Sequence, residues 1–411
     1  MMRIGLSPCL LSQGWPFGFC LLMLGLRLSG ADFQGSTHLL DFDFPPIRYS
    51  SSASSTAIDS LNQDLVNGRA TLHRSESRGY LDAVLESLDI SPSSQVLVYA
   101  KSSAQRSFIG PRTPRAIYFN DELYVGYIPG APLLELTASD PRLGTVFYTL
   151  DQEADRDVSF ERTNQCLECH AASRTMGVPG HLFRSFAVDG AGWVDFTRLG
   201  GQMTHRMPFE ARFGGWYVSS AAGENAFHGR LLVPGESTPF REQSYPGARS
   251  DRVALMVLAH QVHFHNYLTR LNFEARIAVE QYGHIRYLKQ KIFGFIRYLF
   301  FVDEAPLANE IGERSEFIKT FSARARRDDS GRSLRDFDLK TRLFKYRCSY
   351  LVGSAAFDAL EPIVYREVAR QIQEILEAEE PSTPFDRLAR EERAVIRTIL
   401  LQTRSSLTKD W

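Results

Sequence analysis

"DRVALMVLAHQVHFHNYLTRLNFEARIAVEQY", Asp251 to Tyr282, is where the chain changes character. Apolar residues at Val253, Met256, Val257, Phe264, Leu268 and Leu271 recur at the spacing of one helical face. Downstream, "IRYLKQKIFGFIRYLFF" (285–301) continues in the same manner up to an Asp-Glu-Ala-Pro break. "EPIVYREVARQIQEILEAEE" (361–380) and "REERAVIRTILLQTR" (390–404) read as two more helices. Upstream the grammar is that of strands. "SQVLVYAKS" (94–102) is apolar and β-branched, and "RAIYFNDELYVGYI" (115–128) reads as a hairpin turning at Asn120-Asp121. "SFAVDGAGWVDF" (185–196) has the same pattern around a Gly-rich turn, and "FGGWYVSS" (213–220) reads as a strand. The expected fold class is α+β, with a β-rich segment over 90–245 and a helical segment over 246–411 packing on it. Residues 32–89 read as a polar lead-in with a short helix, loosely held over 32–60, which is Ser-rich around "SSSASSTAIDS" (50–60).

With 411 residues, 44% apolar and 23% charged, the chain can bury a sizeable core and is not disordered. A formal charge of −1 and the lack of a long basic run argue against a nucleic-acid partner. Arg3, the apolar run "WPFGFCLLMLGL" (15–26) and small residues at Ser29 and Ala31 match a signal peptide over 1–31. The apolar run is short for a bilayer, so the expectation is export, to the periplasm or otherwise outside the cytoplasm, with no stable membrane span after cleavage. Cleavage leaves three cysteines, Cys166, Cys169 and Cys348, which is not a disulfide framework.

Cys166, Cys169 and His170 form Cys-x-x-Cys-His within "TNQCLECHAASRTMGVPGH" (163–181). In c-type haem attachment the two thiols add across the two vinyl groups of the macrocycle. The adjoining imidazole then becomes the proximal iron ligand. A chance match is expected in about one chain in a thousand. A thioredoxin-like redox pair would want an apolar strand before the motif, and "DVSFERTNQ" (157–165) is polar. A structural zinc site needs a second ligand pair, which the sequence lacks. Motif order and the expected export favour one covalent haem c.

For the other axial position, His181 follows the attachment site too closely to cross easily to the opposite haem face. "QMTHRMPF" (202–209) offers Met203, His205 and Met207, and Met would raise the reduction potential relative to His. His228 lies in "NAFHGR" (225–230), and His260 and His263 fall near the apolar stripe of the long helix. Arg174 and Arg184 are candidates to pair with haem propionates. "PFEARFGGWYV" (208–218) carries Glu210, Arg212, Trp216 and Tyr217 but reads as a turn feeding an aromatic strand.

The blocks "GPRTPRAIYFNDELYVGYI" (110–128), "LGTVFYTLDQ" (143–152), "CLECHAASRTMGVPGH" (166–181), "PFEARFGGWYVSS" (208–220), "LAHQVHFHN" (258–266) and "GRSLRDFDLKTRLFKYRCSYL" (331–351) span most of residues 90–360. Together they resemble a family of uncharacterised exported bacterial monohaem proteins, cytochrome c-like in carrying a single Cys-x-x-Cys-His. The resemblance implies a haem protein and no particular reaction. It implies His170 as proximal ligand and histidines at the positions of His205 (first choice for the distal ligand), His260 (second) and His228 (weakest). "GRLLVPG" (229–235), after His228, departs from the family pattern, and Met176, Met203 and Met207 stand where other residues are usual.

The expected function is one-electron transfer through a single covalent haem, with an unidentified redox partner protein. The fold is expected to differ from the small all-α cytochrome c, because Gly/Pro loops and strands follow His170 at once. The alternatives are a peroxidase- or oxidase-like haem enzyme with an open distal site, or a haem-based sensor.

Overall fold

Six antiparallel strands pair in chain order to make a meander. They are β1 Val96–Val98, β2 Arg115–Phe119, β3 Leu123–Tyr127, β4 Leu133–Asp140, β5 Gly144–Asp151 and β6 Glu161–Arg162. The computed structural model describes residues 40–154, 158–198, 201–220, 228–233, 235–247, 249–311, 315–409 and 411. The expected signal peptide lies outside these residues. Asn120 makes the first turn as read from the sequence, its side chain accepting from the backbone N–H groups of Glu122 and Leu123. The "SFAVDGAGWVDF" hairpin is reduced to a single bridge, Val188 to Val194, because the Asp189 carboxylate ties up the N–H groups of Ala191 and Trp193. A short parallel pair, β7 Tyr217–Ser219 and β8 Arg230–Leu232, adjoins β1.

The two faces of the meander differ. Val125, Leu136 and Tyr148 lie in register on one face, beside Leu123, Ala138 and Val146, and all are buried. On the other face Tyr124, Thr137 and Phe147 form one row, and Gly126, Glu135 and Thr149 the next. This second face mixes hydroxyls and a carboxylate with aromatic rings, so it needs polar partners as well as apolar cover.

The N-terminal strap is firmly held, against the expectation of a loose lead-in. Phe42, Ile47 and Tyr49 are buried, and the Tyr49 hydroxyl donates to the Thr145 carbonyl at 2.7 Å. The Arg162 guanidinium donates to the carbonyls of Tyr49 and Ser52. Thr56 caps α1 (Ala57–Val66) in a reciprocal capping box with Asp59, whose carboxylate also accepts from the Tyr148 hydroxyl at 2.9 Å. A second helix, α2 (Leu81–Ser87), buries Leu81, Val84 and Leu85.

After the four-residue turn α3 (Leu167–His170), the helical half opens with α4 (Arg252–Tyr282). Asp251 caps α4 by accepting from Ala254 N–H, and Gly283 ends it in the left-handed conformation. The sequence reads as one apolar face, but 23 of the 31 residues of α4 are buried. The remaining helices are α5 Lys289–Leu299, α6 Glu316–Ala323, α7 Ala355–Asp358, α8 Pro362–Glu377, α9 Arg390–Thr403 and α10 Ser405–Thr408. One continuous core joins Phe119 and Tyr124 of the sheet to α4, α5, α8 and α9. The architecture is therefore mixed, with the sheet in the N-terminal half and helices in the C-terminal half. No described helix is long and apolar enough to cross a membrane.

Phe264, wholly buried on α4, tests that arrangement. Phe264→Ala should lower the unfolding free energy in urea by roughly 3–5 kcal/mol. A loss below about 1 kcal/mol would mean that α4 does not centre the core.

Candidate functional site

Cys166 stands at the N-cap of α3, and the turn carries Cys169 and His170 one helical step later. Both thiols are free; Cys166 is half-buried and Cys169 exposed. Burial, with the Glu135 carboxylate adding to it, pushes the Cys166 thiol up to about 11. A reactive redox thiol requires the opposite shift, toward thiolate, so Cys166 does not have the electrostatics of a thioredoxin-like nucleophile. Among the described residues no group of three or more His, Cys, Asp or Glu side chains is arranged to hold a metal ion.

The His170 ring is fixed by its own loop. Nδ1 lies 3.0 Å from the Gly180 carbonyl, which makes Nδ1 the protonated nitrogen and leaves the Nε2 lone pair unused. The Gly180 N–H returns a hydrogen bond to the His170 carbonyl at 2.8 Å, and the ring meets Phe147 edge-on at 5.1 Å. Burial holds His170 below its ordinary range, so the ring stays neutral.

The far end of this loop is clamped by α4. The Asn266 side-chain oxygen accepts from His181 N–H, and its amide donates to the His181 carbonyl, each at 2.9 Å. A Cβ on Gly180 would meet that Asn266 oxygen, so only glycine lets the carbonyl reach His170 while the amide holds the loop. Arg270, one turn farther along α4, donates to the Met176 carbonyl at 2.8 Å. The Cys166–His181 segment is thus held between the polar sheet face and the long helix.

Of the histidines singled out in the sequence, His181 closes the same loop that holds His170. Its Nε2 is 2.8 Å from Thr137 Oγ1, its Nδ1 is 3.1 Å from Thr145 Oγ1, and its ring packs on Tyr124 at 4.2 Å. Both nitrogens are therefore engaged. Burial, then the neighbouring His265 and His170, hold it well below its ordinary range. His205 and His260 meet each other instead, Nδ1 to Nδ1 at 3.2 Å, and His260 Nε2 is 2.7 Å from Ser349 Oγ. His205 Nε2 is left buried without a partner among the described residues. Tyr298 and Phe301 pack on both rings, and His263 on Tyr298. No hydrogen bond or ring contact of this cluster reaches Cys166, Cys169 or His170. His228 is exposed, its backbone N–H bonded to the Arg212 carbonyl.

Among the other candidates, Met203 is buried and its sulfur accepts from Phe213 N–H. Met207 packs at the edge of the core and its carbonyl accepts from Arg212. Arg174 is exposed beside the loop, and Arg184 lies over the Phe186 ring at 4.6 Å. Burial and then the Arg174 charge bring Arg184 down to about 10, so two cations stand close together. The "PFEARFGGWYV" block is structural, as read. Arg212 donates to the carbonyls of His205 and Met207, and the Trp216 indole N–H donates to the Arg184 carbonyl. Sequence reasoning missed Asn266, Gly180, Thr137 and Thr145. Asn266 and Gly180 lie inside the quoted blocks "LAHQVHFHN" and "GVPGH", where the only available signal was a polar residue on an apolar helix and a glycine before a histidine.

Gly180→Ala should displace the loop and release the His170 ring, seen by NMR as fast exchange of the Nδ1 proton. An unchanged, protected Nδ1 proton would show that the clamp is not what fixes the ring. The histidines also set a pH dependence. Burial holds His265 down to about 4, and His260 and His263 to about 3. Unfolding returns each to about 6.5, so below that pH the unfolded chain binds more protons. Their contribution is complete above about pH 6.5 and is lost as pH falls toward the folded values. Glu304, pushed up to about 7 by burial, acts oppositely between about 4.5 and 7, one group against three. The urea midpoint at pH 5 should therefore lie clearly below that at pH 7, and an equal or higher midpoint would overturn the neutral-histidine core.

Compared with known proteins, the chain matches no family model, no curated protein and no solved structure, so its function rests on the chemistry of these residues.

Proposed function

We propose that the chain is an exported c-type haem protein carrying one covalently attached haem. The observation that carries the reading is the His170 Nδ1 contact to the Gly180 carbonyl, which leaves Nε2 as the unprotonated nitrogen, beside two free thiols in Cys-x-x-Cys order. The residues fit the group. Cys166 and Cys169 would hold it through thioether bonds, and the carbonyl behind His170 would set ring orientation and raise its basicity as a ligand. Arg174 and Arg184, whose charges feel each other, would supply positive charge for the carboxylates of the group. A bound haem would supply one-electron chemistry at its iron, and the surrounding chain sets the potential through burial and axial ligation. The likeness to exported monohaem proteins noted in the sequence adds to this reading and supports electron transfer to a partner protein.

A second reading, small-molecule chemistry or sensing at an open distal position, has one observation in its favour. His181 has both ring nitrogens engaged, and His205 and His260 are bonded to each other rather than placed beside His170. Saturation of the iron by His181 or His260 would break those bonds, and His205, whose Nε2 has no partner among the described residues, would have to be brought to the iron.

Co-expression with c-type maturation machinery should give a chain that keeps its haem through denaturing electrophoresis. Cys166→Ala combined with Cys169→Ala should abolish that retention, and the unaltered chain emerging without covalent haem would overturn the proposal. Carbon monoxide binding by the reduced protein then separates the two readings: rapid binding favours the open position, and no binding favours the saturated electron carrier.

A further inference from the structure

A cavity of about 240 Å³ opens in the helical half, walled by Arg324, Arg326, Arg335, Arg404, Asp121 and Tyr350. It shares no residue with the Cys166–His181 segment, and its chemistry is independent of haem attachment. Four guanidiniums and one carboxylate face one recess large enough for several waters or a small organic ion.

The wall is built rather than incidental. Arg335 is 8% exposed, and its guanidinium lies between the rings of Phe321 and Tyr350, at 4.6 and 4.5 Å. Stacking on two rings fixes the plane of the fork and lowers the entropy lost when it binds an anion. Its Nη2 donates to the Asp121 carboxylate, while Nη1 is buried with no partner among the described residues. A buried donor left without a partner is costly, and a group that settles in the cavity and draws the fork toward it would remove that cost. Arg404, 7% exposed, is held by the Asp358 carboxylate at 2.6 Å. Arg324 is held by Asp89 at 2.8 Å. Arg326 is exposed and makes no ion pair or hydrogen bond among the described residues. Counting Asp89 and Asp358 with Asp121, four cations face three carboxylates, and the surplus positive charge sits at Arg326. Leu334, Val352 and Ile399 complete the wall with apolar surface.

We propose that this cavity is a binding site for a small anion bearing a carboxylate or phosphate group. Arg326 closes on the anion as a mobile cation and Arg335 acts as the oriented fork. Charge-assisted contacts of this kind are strong when the donor is held in place and partly removed from water, as Arg335 is. The apolar wall suits a short carbon chain attached to the anionic group.

The test is thermal unfolding of the full chain, as expressed, against inorganic phosphate and separately against succinate, with sodium chloride holding the ionic strength constant. A saturable rise in Tm is expected with at least one of the two. A rise with phosphate alone assigns a phosphate group, with succinate alone a carboxylate, and with both a general anion site. Arg326→Gln, a surface change that leaves the core alone, should weaken the midpoint by roughly tenfold. Arg335→Lys keeps the charge but removes the fork, and should weaken it as well. No saturable rise with either anion, or a rise that Arg326→Gln leaves unchanged, would overturn the proposal.

Discussion

Burial of α4 on nearly all sides is the constraint on which the remaining structure depends. A helix wrapped in protein cannot leave its polar side chains to water, and each must find a partner inside. The amide of Gln261 meets the Asn120 carbonyl and the Tyr124 hydroxyl, and His265 Nε2 the Asp121 carbonyl. Asn272 donates to the Pro141 carbonyl, and Glu274 is neutralised by Arg270 and Lys291. Asn120, Asp121 and Pro141 belong to turns of the sheet half and Tyr124 to β3, so four of these partners lie across the boundary from α4. The polar residues of α4 therefore specify how the sheet and the helices meet, a role that apolar contacts alone fill poorly because they are not directional.

The candidate site is a local case of the same rule. Asn266 needs one donor and one acceptor, and the His181 backbone supplies both. Satisfying that amide stretches the loop so that the Gly180 carbonyl reaches the His170 ring. The state of an imidazole ten residues away is thus decided by the hydrogen-bonding demand of a buried helix. His260 meets its demand through His205 and Ser349, which leaves His205 Nε2 without a partner among the described residues.

The long helices and the first hairpin are legible because their signals are local. The period of α4, α5, α8 and α9 and the Asn120-Asp121 turn need no knowledge of what packs against them. Strands β4 and β5 do not stand out as a pair. Glu135, Thr137, Thr145 and Thr149 interrupt their apolar alternation, and these residues face the histidine loop and α4 instead of a greasy interior. The strap around Tyr49 reads as loose because serines dominate its composition, whereas three large buried side chains hold it. At the site, Cys-x-x-Cys-His is plain in the sequence. Spacing alone relates His181 to His170, and its actual partners, Thr137 and Thr145, come from strands that only the folded sheet brings together. His205 and His260 both stand out as candidates, but that they meet each other across 55 positions is a property of the packed core.

The Asn266 clamp also has a consequence for timing. It joins positions 85 residues apart, a contact that must await closure of a long loop. The segment from Cys166 to His181 therefore has its final geometry only after α4 has been made and docked. A chain on which α4 has not yet docked presents the two thiols on a flexible tether, open to the solvent around it. Docking of the helix then stiffens that tether from behind. Access to the cysteines and rigidity at the histidine are in this way assigned to successive stages in the life of one chain.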